Sequence, residues 1–112
     1  VNATPSPSPH HIYNLERAIL RAICHPSLRD DLREIARARL VSYKWQAEDH
    51  RIIFAAVSSI RNTKTASLRE QLPACATRMG FPDIDWEFLS GAEEPMAGIA
   101  QLIDELQAAR HR

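Results

Sequence analysis

Trp45-Gln-Ala-Glu-Asp-His-Arg-Ile-Ile-Phe-Ala-Ala-Val-Ser-Ser-Ile60 is the stretch that decides the fold class. From His50, apolar residues recur at Ile53, Phe54, Val57 and Ile60. This i, i+3, i+4, i+7 spacing lays side chains along one face of a 3.6-residue helix. Ile52 and Ala56 widen that face. A helix with so broad an apolar stripe must be covered on more than one side. It reads as the central helix of an all-α domain, a compact bundle of about six helices in which the other segments pack around it.

Upstream of this stretch, Ala3 to Pro9 alternates proline with small polar residues, a pattern that reads as an extended linker occupying residues 1–13. His10 and His11 are adjacent, so their side chains diverge, and with no third ligand nearby neither a metal nor a cofactor is expected. A helix is predicted from about Leu15 to Cys24, with Asn14 as its cap, Glu16 in its first turn, and Leu15, Ile19, Ala22 and Ile23 on its core face. His25-Pro26 ends it. A second helix is predicted to start at Ser27, where Ser27-Leu-Arg-Asp30 fits a loose capping box, and to bury Leu28, Leu32, Ile35, Ala36 and Leu40. That assignment leaves Arg29, Arg33 and Arg37 on the outer face, one arginine per turn. Such a row suits an acidic partner or a phosphate backbone. Reversing Arg33 and Arg37 to Glu is then expected to weaken partner binding without loss of helix.

Trp45 is expected to plug the end of the core, and His50, lying on the apolar stripe, reads as a packed, hydrogen-bonded histidine rather than a general base. Beyond the polar loop Arg61 to Ala66, Ser67-Leu-Arg-Glu70 is a capping box that opens a helix. Pro73 is expected to divide that helix into a piece ending near Gln71 and a second piece ending at Met79, with Gly80 just past it. Asp83-Ile-Asp85 could hold Mg²⁺ at a strand end, but no strand pattern is present, and Asp85 reads as the cap of a short helix. A last helix is predicted from near Pro95 to Ala109, with Glu93 and Glu94 at its positive end. Met96, Ile99, Ile103 and Leu106 form its stripe, with Ala100 and Leu102 beside it.

The 112 residues carry 14 Lys and Arg against 14 Asp and Glu, so no global field draws the chain to nucleic acid or to an anionic membrane. Weak or no direct nucleic-acid binding is expected. The charges are nonetheless segregated, since Phe81 to Ala109 contains seven acids and no base. The arginine row and the acids Glu93, Glu94 and Asp104 are therefore the expected partner contacts, as complementary charge steers encounter and fixes orientation. No apolar run approaches the roughly 20 residues of a membrane span. Cys24 and Cys75 read as buried free thiols.

Taken in order, Leu15-Glu-Arg-Ala-Ile-Leu20, His25-Pro26, a second helix, Glu48-Asp-His-Arg-Ile-Ile-Phe54, Leu68 to Pro73 and a closing amphipathic helix resemble the helicase-binding C-terminal domain of bacterial DNA primase (DnaG). The N-terminal domain of the replicative helicase (DnaB) shares that fold, and the resemblance spans roughly Asn14 to Ala109. It implies a cytoplasmic, non-catalytic module of the primosome that couples primase to helicase and modulates priming. It also implies that Glu16, Leu20, Trp45, His50, Arg51 and Phe54 are mainly structural. The proline-serine segment tilts the reading toward primase, where such a linker precedes this domain. In both families a helical hairpin follows the globular part, whereas this sequence ends at His111-Arg112, so the hairpin is expected to be lacking. No zinc-ribbon cysteines and no GxxxxGK[ST] loop occur, and no enzymatic activity is expected of this chain. The alternatives are the N-terminal domain of a replicative helicase and a helical DNA-binding domain. The latter is disfavoured by the absence of glycine between Val41 and Gln46 and by the neutral net charge.

Overall fold

A computed structural model describes residues 9–61, 66–90 and 98–110. Those residues form five α-helices and one short 3-10 turn, with no strand among them. The helices are α1 (Pro9–Ile23), α2 (Asp30–Leu40), α3 (Glu48–Ser59), α4 (Leu68–Arg78) and α5 (Ile99–Arg110), and the 3-10 turn is Glu87–Ser90. Over the described residues the protein is all-helical, as its hydrophobic periodicity requires. None of these helices is long and apolar enough to cross a membrane.

The third helix buries His50, Ile52, Ile53, Phe54, Ala56 and Val57, which is the wide stripe its spacing dictates. Its neighbours are α4 and α1, while α1 also packs along α5 and the 3-10 turn. The first helix therefore has the wider set of partners and is the structural centre. It begins at Pro9, six residues before its predicted start. Proline suits a first helical turn, where its missing N–H is no loss and its φ is already helical. Residues 9–13, expected to be linker, are helical.

Pro73 does not divide α4, which runs unbroken from Leu68 to Arg78. Ser67 caps it, its Oγ accepting from the Glu70 N–H at 3.2 Å. At its far end Gly80 N–H donates to Thr77 O and Phe81 N–H to Ala76 O, a Schellman closure that needs the positive φ of 98° found at Gly80. Asp85 accepts from the Glu87 N–H at 3.0 Å and so fixes the entry to the 3-10 turn. In α5 the buried residues are Ile99, Leu102, Ile103, Leu106 and Ala109. Glu93, Glu94, Pro95 and Met96 lie outside the described residues.

The second helix departs most from expectation. It begins at Asp30, with Arg29 in the cap position making no side-chain cap bond, while Ser27 Oγ instead sits 2.6 Å from His25 Nδ1. Ala36 and Leu40 are buried as expected and Leu28 is half-buried, but Leu32 and Ile35 are 39% and 56% exposed. Arg33 and Arg37 are buried, with 6% and 8% of their surface accessible. The inward stripe is thus Arg33, Ala36, Arg37 and Leu40, and the expected outer row of arginines does not exist beyond Arg29.

Candidate functional site

Two sets of buried polar groups organise this fold. The first is centred on Glu16, which is fully buried on α1. Its Oε2 accepts from the Tyr43 hydroxyl at 2.5 Å and the Gln46 N–H at 2.7 Å. Its Oε1 lies 2.8 Å from His50 Nδ1 and 3.4 Å from the Ala47 N–H. Gln46 and Ala47 lead into α3, so this carboxylate, held on another helix, fixes the chain entering α3 and sits at that helix's positive end. Burial alone would push the Glu16 carboxyl up, but the bonds from His50, Gln46, Tyr43 and Ala47 outweigh it and hold it below the usual carboxylate range. Burial and then the bond to Glu16 push the Tyr43 hydroxyl well above its ordinary value.

Aromatic rings close around this pair. Tyr13 stacks on His50 with ring centroids 4.7 Å apart, and Trp45 lies 5.2 Å from Phe54 and 4.9 Å from Tyr43. The Trp45 Nε1 is buried without a hydrogen-bond partner. Of the remaining residues in the resemblance pattern, Leu20 is fully buried in the core, and Arg51 is exposed and paired with Glu48 at 3.2 Å. A carboxylate beside a histidine is a common acid–base pair, but here every oxygen lone pair is directed at an internal donor and both side chains are sealed from solvent. The arrangement joins α1, the α2–α3 connection and α3.

The second set is the pair of inward arginines. Arg33 Nε donates to Ile23 O at 2.8 Å, its Nη2 to His25 O and Leu28 O, and its Nη1 to Asp30 at 2.6 Å. Arg37 Nη2 donates to Val57 O and Ile60 O, both at 2.9 Å, and its Nη1 pairs with Glu34. The carbonyls at the C-terminal ends of α1 and α3, orphaned by helix geometry, are thereby satisfied by guanidinium groups from α2. Burial raises the Glu34 carboxyl, but the hydrogen bonds and charges of Arg37 and Arg61 together outweigh it and hold it below its usual range.

The exposed surface carries the remaining candidates. Arg29 pairs with Asp31 at 2.7 Å on the surface, and Asp104 pairs with Arg39 at 2.6 Å. Leu32 belongs to a groove of about 280 Å³ floored by Ala22, Leu28 and Ile99 and edged by His25 and Arg29. Sequence reasoning missed this face because it assigned Leu32 and Ile35 to the core. Cys24 and Cys75 are both buried and unpaired, and burial pushes the Cys24 thiol up to about 12, partly countered by Arg69, Arg33 and Arg37. Among the described residues no three of His, Cys, Asp and Glu gather in a geometry that could hold a metal ion. Comparison with protein-family models, with curated proteins and with solved structures finds no match for the chain.

Proposed function

We propose that this chain is a non-catalytic interaction module of the bacterial cytoplasmic primosome, coupling primase to the replicative helicase and modulating priming. The observation that carries an interaction role is the outer face of α2, where Leu32 and Ile35 stand in solvent beside the groove edged by Arg29. Helices of a small domain ordinarily turn such residues inward, and apolar side chains exposed one turn apart beside a groove suit a contact surface. The saturation of Glu16 and His50 by internal partners supports the same reading, since it commits the buried acid–histidine pair found among the described residues to structure. The identity of the partner rests on the resemblance to the helicase-binding domain of primase.

The test is calorimetric titration of the chain against the N-terminal domain of the replicative helicase from the same organism. Binding is expected, and Ile35→Glu is expected to weaken it by at least about tenfold, the effect of losing one well-buried apolar contact at an interface. Far-UV circular dichroism of the variant should match the parent, because Ile35 is exposed. Undiminished binding by Ile35→Glu would reject α2 as the contact surface, and no binding by the parent chain would reject the helicase as partner.

A further inference from the structure

At the opposite end of α2 from that groove, three cations meet across a pocket of about 270 Å³ lined by Arg39, Ser42, Tyr43, Lys44, Gln107 and Arg110. We propose that this pocket binds a phosphate group, presented by a free nucleotide or by a polynucleotide backbone. The proposal stands apart from the helicase reading.

The cations differ in how far they are already committed. Arg39 is fastened to α5, donating to Asp104 at 2.6 Å and to Gln107 at 2.8 Å. Arg110 donates to Lys44 O at 3.0 Å and its guanidinium lies 5.6 Å from the Tyr43 ring centroid, so it is oriented without being neutralised. The Lys44 ammonium and the Ser42 hydroxyl have no partner among the described residues. Among the described residues no carboxylate pairs with Arg110 or Lys44, and the Ser42 hydroxyl lines the same pocket.

The ends of α2 and α5 both approach this pocket with their negative poles, each equivalent to about half an elementary charge at most. Asp104 removes one further charge. Counted over the groups that line the pocket and their direct partner Asp104, three cations against these terms leave a positive balance, with the Glu16 carboxylate lying behind Tyr43, though the chain as a whole is neutral. A phosphate fits this set well. It takes charge-assisted bonds from a guanidinium and an ammonium together with a hydroxyl bond, whereas a carboxylate has fewer acceptor positions to share among them.

The experiment is a ¹H–¹⁵N NMR titration of the full chain with inorganic phosphate, adenosine monophosphate and a short oligothymidylate. Saturable shifts at Ser42, Lys44 and Arg110 are expected, and Lys44→Gln and Arg110→Gln should each weaken binding by about tenfold, the loss of one charge-assisted bond. Lys44→Gln removes no packing and carries the test should Arg110→Gln disturb Tyr43. Equal affinity for all three probes would identify an isolated phosphate group as the ligand. Tighter binding of the oligonucleotide, falling steeply with salt, would identify a backbone phosphate. Absence of saturable shifts with every probe across the millimolar range, or affinity unchanged in Lys44→Gln and Arg110→Gln, would overturn the proposal.

Discussion

Replacing Glu16 by glutamine keeps the shape of the side chain and removes its charge. Three of the bonds to this carboxylate are short, from Tyr43 at 2.5 Å, Gln46 at 2.7 Å and His50 at 2.8 Å. A hydrogen bond to an ionised group is worth about 1 kcal/mol more than a neutral one, and the amide NH₂ cannot accept at all, so with one oxygen's bonds lost and the other's weakened the cost is at least about 3 kcal/mol. Against the roughly 5–15 kcal/mol that holds a domain together, this is a large fraction. Urea denaturation followed by circular dichroism should show the loss, and the melting temperature should fall by about 10–20 °C. The difference should also depend on pH. The folded carboxyl of Glu16 titrates below its ordinary value of 4.5, so its contribution is complete above the unfolded value and disappears as pH falls through the folded one. The stability gap between parent and Glu16→Gln should therefore narrow on acidification below that value. A gap under about 1 kcal/mol at neutral pH would refute the account of Glu16 as a charged hub, as would a gap that stays constant into acid.

Arg37→Met preserves bulk but strands the Val57 and Ile60 carbonyls, and should cost about 2–4 kcal/mol in equilibrium unfolding. Reversing Arg33 and Arg37 to Glu together is accordingly expected to reduce helix content in far-UV circular dichroism, where the sequence had suggested no change. At Gly80 an added Cβ meets nothing within 4 Å, so Gly80→Ala should lose only the conformational term, about 1–2 kcal/mol by thermal melting.

The parts of this fold legible in the sequence are those where apolar spacing is unambiguous. The stripe of α3 and the buried Ile99, Leu102, Ile103 and Leu106 of α5 follow directly from their periods, while Ala100, expected beside the α5 stripe, is exposed. The second helix was not legible because it carries two stripes of equal regularity. Leu28, Leu32 and Ile35 repeat at helical spacing, but so do Arg33, Ala36, Arg37 and Leu40, and hydropathy favours the wrong one. The discriminating fact, that carbonyls at the ends of α1 and α3 lack partners, exists only once those helices are placed together. Glu16 and His50 were visible within the resemblance pattern, yet their bond joins residues 34 apart in sequence, beyond the reach of local spacing. Pro73 reads as a break in the sequence, whereas α4 accommodates it with the loss of a single backbone donor. The expected contacts Arg33 and Arg37 are buried, Arg29 and Asp104 remain on the surface, and Glu93 and Glu94 fall outside the described residues.

The inward arginines also bear on how uniquely this chain adopts one arrangement. Two helices that meet only through Leu and Ile ridges can slide by one ridge and still bury almost the same area. A guanidinium fork keyed to particular carbonyls cannot, because a shift of one turn would leave both the donors and the acceptors unpaired in a dry interior. Arg33 is keyed to the end of α1 and Arg37 to the end of α3. With only Ala36 and Leu40 as fully buried apolar anchors, α2 has little affinity for a wrong seat and only one register in which both forks close. Its placement is governed by a matching condition rather than by adhesion, which leaves the outward residues Leu32 and Ile35 free to vary in sequence without unseating the helix.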